Sequence, residues 1–276
     1  MGPAMLTILD GPMGTELAAR GVPTPAPLWS ALALERAPEV VSAIHRDYAA
    51  TGATVHTANT FRTKRRSAGE RWEVLARRAV ALAREAVPPE HRIAGSVAPL
   101  EDCYRPDLSP KNPRPEHREL CEVLADAGVD LILCETFPHV GEALVAVEEA
   151  LRTGLPVWAA FTAGPDADLL TPAEVLAGAR EAAARGASAV LINCTKATRT
   201  RPFVEKLAQV GIPFGVYANA GAAEEGIGWG EATRGAELYA ELAEAWIRAG
   251  ATILGGCCGT GPLHVRALAE RARSRG

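Results

Sequence analysis

The chain has 276 residues, 48% of them hydrophobic and 22% charged, a composition with room for one large core and no sign of disorder. Its net charge of −4 gives no basic field for nucleic acid, and no apolar run approaches the roughly 20 residues of a membrane span. Six cysteines, with no basic-then-apolar leader at the start, point to reduced thiols in the cytoplasm, where clustered cysteine is metal-binding or catalytic more often than disulfide-bonded.

Short apolar runs alternate with amphipathic segments throughout. The predicted strands cover residues 6–9, 54–60, 93–98, 131–137, 157–163, 189–194, 214–220 and 252–255. The predicted helices cover 38–50, 70–86, 115–127, 140–153, 172–185, 202–210, 236–249 and 263–273. Glycine closes several helices (Gly52, Gly128, Gly154, Gly186, Gly211, Gly250), and proline opens others (Pro38, Pro115, Pro172, Pro202, Pro262), the positions where each is tolerated. Eight β-then-α units predict an α/β protein with the TIM (β/α)8 barrel fold, a single domain over residues 1–276. An open doubly wound sheet is the rival, but it has no reason to stop at eight. In a barrel the active site lies at the C-terminal strand ends. The connections on that face are long after strands one (11–37), two (61–69), three (99–114) and seven (221–235), while the opposite ones are tight.

Candidate site residues fall at those strand ends. After strand one, Asp10-Gly-Pro-Met-Gly-Thr15 reads equally as a turn and as an acid at the mouth beside backbone N–H groups open to a carboxylate. Trp29 and Trp229 are lid packing or an aromatic wall for a cationic ligand. His56, within strand two, reads as a core residue. His45, His91, His117, His139 and His264 read as surface, so a histidine-based zinc site is not expected. Basic clusters follow strand two (Arg62, Lys64, Arg65, Arg66) and strand six (Lys196, Arg199, Arg201). Such runs are ordinarily solvated faces, although their place on the catalytic rim leaves an anionic ligand or acidic partner open.

Glu135, ending strand four, shares inward parity with Leu131, Leu133 and Phe137, and an acid there favours amine binding over packing. Its neighbour Cys134 then faces outward. Cys121 reads as packing and Cys103 as incidental. Asn219, ending strand seven, is a turn former or a polar ligand. The strongest signal is Gly255-Gly-Cys-Cys-Gly-Thr260, with Cys194 at the end of strand six. Three thiolates leave one position of a tetrahedral zinc open, the pattern of a catalytic site. Neighbours on a strand face opposite ways, so Cys257 and Cys258 can share an ion only where the strand breaks up, an irregularity the flanking glycines provide.

Together these pieces resemble the zinc-dependent homocysteine S-methyltransferase family. That family includes the S-methylmethionine and betaine enzymes and the N-terminal barrel of cobalamin-dependent methionine synthase. The matching motifs are Asp10-Gly-Pro-Met-Gly-Thr-Glu16, Leu28-Trp-Ser30, Ala58-Asn-Thr-Phe61, Gly95-Ser-Val-Ala-Pro99, Cys134-Glu-Thr-Phe137, Ile192-Asn-Cys194, Tyr217-Ala-Asn-Ala-Gly221 and the cysteine pair. The resemblance implies Zn2+ on Cys194, Cys257 and Cys258, with homocysteine's sulfur as the fourth ligand and Asn219 in that place without substrate. It implies Glu135 and Asp10 for the substrate amine, and the Met13, Gly14 and Thr15 backbone with Thr60 for the carboxylate. The expected reaction is methyl transfer to homocysteine, forming methionine. The chain's length and Leu28-Trp-Ser30 favour a small donor, S-methylmethionine or S-adenosylmethionine. Tyr217-Ala-Asn-Ala-Gly221 and Asn59-Thr-Phe61 look more like the methionine-synthase barrel, which leaves a separate corrinoid or methylfolate carrier protein as an alternative. A non-catalytic thiolate-zinc protein is the reading from outside enzymes.

Overall fold

The computed structural model describes residues 6–229 and 233–275; the expected domain's extreme ends and residues 230–232 of the long connection after strand seven lie outside them. Eight strands, β1 (Thr7–Ile8), β2 (Val55–Ala58), β3 (Arg92–Val97), β4 (Leu131–Phe137), β5 (Val157–Phe161), β6 (Ala189–Lys196), β7 (Phe214–Asn219) and β8 (Ile253–Gly256), form one parallel sheet in the order β1-β8-β7-β6-β5-β4-β3-β2. A parallel bridge between Leu9 and Val55 joins the two ends, so the sheet is a closed barrel. The rival open sheet is thereby excluded.

The helices are α1 (Met13–Ala19), α2 (Ala33–Arg36), α3 (Pro38–Thr51), α4 (Arg65–Ala68), α5 (Trp72–Ala86), α6 (Arg114–Asp126), α7 (Val140–Leu151), α8 (Pro172–Arg185), α9 (Arg201–Leu207), α10 (Thr233–Arg248) and α11 (Pro262–Arg273). Those predicted from periodicity appear within a few residues of expectation. Three short ones, α1, α2 and α4, sit inside the long connections after β1 and β2. Helix α8 shows the local logic plainly. Thr171 accepts from the Glu174 N–H while Glu174 reaches back to Thr171, Pro172 occupies the first turn, and Gly186 closes the helix at φ 114°, a conformation open to glycine.

Two apolar layers result. A large outer one lies between sheet and helices. A smaller one fills the barrel, with Leu131 and Leu133 of β4, Trp158 of β5 and Leu191 of β6 interleaved. Small residues keep it closed: a Cβ on Gly215 would stand 2.6 Å from both the Cβ and the carbonyl oxygen of Ile253. No helix among the described residues is long and apolar enough to cross a membrane.

Two strands break their alternation at the C-terminal rim. The β4–β5 register shifts between Cys134 and Phe137, and the β6–β7 register shifts between Asn193 and Lys196. Thr136 and Cys194 take positive φ values of 62° and 48° at those shifts, a backbone that non-glycine residues adopt at a cost and chiefly at functional sites. The first shift corrects the parity expected for Phe137. It packs in the outer layer, its ring 5.8 Å from that of His117, instead of sharing the interior with Leu131 and Leu133.

Candidate active site

The rim of the barrel opens into a cavity of ≈ 330 Å³. It is lined by residues following β1 (Asp10 to Gly14) and by Cys194, Cys257 and Cys258, with Glu135 and Tyr217 also on its wall. The sulfur atoms of the three cysteines lie within 4.8 Å of one another. How each arrives there differs. Cys194 would face the outer layer by simple alternation with Leu191, but the positive-φ bulge turns it into the inner cluster, the re-aiming that bulges perform. The bulge is tied to its neighbour in β4: the Asn193 amide donates to Thr136 Oγ1 at 2.7 Å, and the Thr136 N–H donates to Asn193 Oδ1 at 3.2 Å.

Strand β8 stops at Gly256, and Cys257 to Thr260 form a turn closed by the Thr260 N–H on the Cys257 carbonyl at 3.0 Å. The parity obstacle to two adjacent ligands is thus removed by ending the strand. The turn is pinned on both sides, by Cys257 N–H to Ala218 O (3.0 Å), Ala220 N–H to Cys258 O (2.9 Å) and Gly259 N–H to Thr15 Oγ1 (3.1 Å). There is no room for a side chain at Gly256, where a Cβ would collide with Thr260.

In this structure Cys194 and Cys257 are drawn together as a disulfide, Cα atoms 5.7 Å apart, with Cys258 free. Three sulfurs packed this closely either share a cation as thiolates or, when oxidised, bond to each other. Asn219, expected as a further ligand, ends β7, the strand between β6 and β8. The residue is buried, and its Oδ1 has no hydrogen bond. Three soft sulfurs and an orphaned amide oxygen at neighbouring strand ends fit a tetrahedral metal.

Two carboxylates share the cavity. Glu135 receives hydroxyl hydrogen bonds from Ser96 and, at 3.0 Å, from Tyr217. Asp10 accepts from the Thr57 N–H (2.8 Å) and Thr57 Oγ1 (3.0 Å). Burial raises the pKa of both, and the charge of Glu135 adds to the rise at Asp10. Neither acid has a cationic partner among the described residues, so the pair is suited to an incoming ammonium. Burial likewise raises the Cys258 thiol.

Met13 and Gly14 line the cavity, Gly14 packed so closely under Trp29 that no Cβ fits. Thr15 does not line it; its hydroxyl accepts from Gly259. Thr60, expected to help receive the carboxylate, is fully buried, and its hydroxyl is spent on the Ser96 carbonyl at 2.8 Å. Trp29 stands edge-on to Phe61 with centroids 5.9 Å apart on the cavity wall. Trp229 is outside that wall, its indole N–H donating to the Gly221 carbonyl. Cys103, read as incidental, lines the cavity, whereas Cys121 and Cys134 pack in the outer layer.

Three histidines read as surface are buried: His45, His117 and His264. His117 faces Glu142 at 3.3 Å, and His264 contacts the Ile227 carbonyl at 2.5 Å. His45, His56 and Asp10 converge within 4.8 Å, with His56 in contact with His91 at 3.0 Å. Ser96, Tyr217, Thr57 and Thr136 are the supporting residues that sequence reasoning missed. Each lay inside a quoted motif or one residue before one, but an uncharged hydroxyl carries no signal until its partner is placed.

A model of the homocysteine S-methyltransferase family matches residues 7–272. The chain is 32% identical to homocysteine S-methyltransferase 4 of Zea mays, covering 96% of this chain and 89% of that one. Among solved structures it is similar to the homocysteine methyltransferase MmuM of Escherichia coli. The metallated form superposes with a TM-score of 0.81 at 30% identity, covering 96% of each chain. The oxidised form gives 0.80 at the same identity and coverage.

Proposed function

The chain belongs to the homocysteine S-methyltransferase family, and from that premise we propose how its residues divide the work of moving a methyl group onto homocysteine. The barrel as a whole is the homocysteine-binding unit. Cys194, Cys257 and Cys258 hold the metal, which is zinc, and Asn219 supplies the fourth donor when no substrate is present. The observation that carries this reading is three sulfurs within 4.8 Å of one another in the same cavity as two buried carboxylates.

A zinc ion held by these residues would keep the acceptor sulfur as thiolate at neutral pH, where a free thiol of pKa about 8.5 is mostly protonated. Glu135 and Asp10 bind the α-ammonium of homocysteine. Ser96 and Tyr217 orient Glu135, and Thr57 orients Asp10. The backbone of Met13 and Gly14 receives the carboxylate. Held at these points, the amino acid directs its sulfur toward the cysteines, and Trp29 with Phe61 forms an aromatic part of the same wall. The transfer is a displacement. The homocysteine sulfur bonds to the methyl carbon as the donor's carbon–sulfur bond breaks, and that electron pair stays on the donor sulfur. Orientation of the two reactants supplies much of the rate.

The donor is a small sulfonium, S-methylmethionine or S-adenosylmethionine. The cavity lies at the small end of the range for ligand sites, roughly 300–1,000 Å³. The basic loops that might have met a carrier protein are largely committed within the chain: Arg66 pairs with Glu116 (2.7 Å), Lys196 with Asp166 (2.7 Å) and Arg201 with Glu205 (2.9 Å). Zinc-loaded protein incubated with homocysteine and each donor in turn should form methionine with a sulfonium. Methionine formed only with a methylcorrinoid or methylfolate protein would transfer the assignment to the carrier alternative.

A further inference from the structure

The basic cluster after β2 contains one residue whose charge goes unanswered by its neighbours. Arg65 pairs with Glu119 (3.4 Å) and Glu70 (3.6 Å), and Arg66 with Glu116 and Glu101. Lys64 is buried with its ammonium on the Pro99 carbonyl, and burial lowers its pKa to about 7. Arg62 differs from all three. It lines the cavity, its guanidinium carbon 5.6 Å from the centroid of Phe61. Its Nε is buried without a hydrogen-bond partner, and no ion pair joins it to any described residue. The other charged residues on the cavity wall are acids: Asp10 and Glu135, both buried, and the exposed Asp102.

A guanidinium held against an aromatic face, with a donor turned away from water and no anion beside it, is a preorganised carboxylate receptor. Homocysteine has no evident need of it, because its ammonium is matched by the two buried acids and its carboxylate by the backbone after β1. The donor is the reactant left without a partner. We infer that Arg62 is the anion subsite for the methyl donor, binding the carboxylate of an amino-acid sulfonium. This rests on the small-donor reading above and deepens it. Arg62 also sets the donor's direction: it attracts the carboxylate and repels the sulfonium, so the carboxylate docks at Arg62 and the sulfonium end points away from it.

The test compares S-methylmethionine with its carboxamide, which keeps the sulfonium and ammonium but has no anion, on zinc-loaded wild type, Arg62→Met and Arg62→Lys. In the wild type kcat/KM should favour the acid over the amide by tenfold or more. That ratio should collapse toward one in Arg62→Met and fall partway in Arg62→Lys, which keeps the charge without the planar fork. Zinc content of each variant reports that the barrel is intact. A wild type that uses acid and amide equally, or a ratio unmoved in Arg62→Met, overturns the subsite while leaving the donor class standing. A rise in the KM for homocysteine with the ratio unchanged assigns Arg62 to the acceptor instead and also overturns it. Wild type that makes no methionine from any sulfonium removes the donor class, and the subsite with it.

Discussion

Glu135 is held by two hydroxyls with its charge otherwise unanswered, so its contribution can be isolated. Glu135→Gln keeps the shape and removes the negative charge. Losing a hydrogen bond to a charged group costs about 1.5–3 kcal/mol, so the KM for homocysteine should rise on the order of 10- to 100-fold at unchanged zinc content. An unchanged KM would remove Glu135 from amine binding. The histidine cluster makes a separate, acid-side prediction. Burial lowers the pKa of His45 to about 4 and of His56 to about 3, from 6.5. Both are depressed, so their contribution to stability is present above pH 6.5 and lost as the pH falls toward 4 and 3, where the unfolded chain takes up protons that the folded one refuses. The slope is about 1.4 kcal/mol per pH unit for each imidazole. His45→Gln should therefore flatten the fall in urea stability between pH 6.5 and 4, and an unaltered slope would show that His45 titrates freely. Asp10 and Glu135 act in the opposite sense, since their raised folded pKa values give a contribution complete in acid and lost as the pH climbs through them. The cysteines were legible because two adjacent thiols between glycines suit a metal far better than they suit packing. The buried histidines were not, because burial depends on which helix face meets the sheet.

At the scale of the element, the decisive features are the paired bulges in β4 and β6. Period-two alternation placed Leu131, Leu133 and Glu135 correctly and failed at Phe137, one step past the positive φ of Thr136. Sequence alone cannot announce such a shift, because Thr136 and Cys194 adopt conformations their residue types do not prefer. The two irregular strands support each other through Asn193. Asn193→Ala removes both hydrogen bonds to Thr136, at a cost of about 1–3 kcal/mol for the buried groups left unpaired. It should speed zinc loss to a chelator several-fold without altering the ligands themselves. Retention equal to the wild type would show that the bulge needs no such tie. Within β7, Gly215→Ala forces a methyl against Ile253, and such overpacking costs about 1–3 kcal/mol. A lowered urea midpoint at constant slope is expected, and an unshifted midpoint would show that β7 and β8 can spread. The short helices α1, α2 and α4 escaped the periodicity reading because four to seven residues give too few turns for a repeat to show.

For the molecule as a whole, the barrel was legible because eight βα units, glycine stops and proline starts agree on one architecture. What the alternation could not show is the closure between β1 and β2, which rests on a two-residue strand and the Leu9–Val55 bridge. That closure places Asp10 beside Thr57, next to the cysteine turn through Gly256 N–H on the Asp10 carbonyl at 3.1 Å. Asp10 and the cysteine turn are therefore held by adjoining strands of one closed ring. The same convergence brings Cys194 and Cys257 close enough to be oxidised to a disulfide, so protein exposed to oxidant should load less zinc than reduced protein. The most direct measurement is zinc-edge X-ray absorption on the reduced, zinc-loaded protein before and after homocysteine is added. The account predicts three sulfur neighbours and one oxygen at first, then four sulfurs. A first shell with fewer than three sulfurs, or one that homocysteine leaves unchanged, would contradict it.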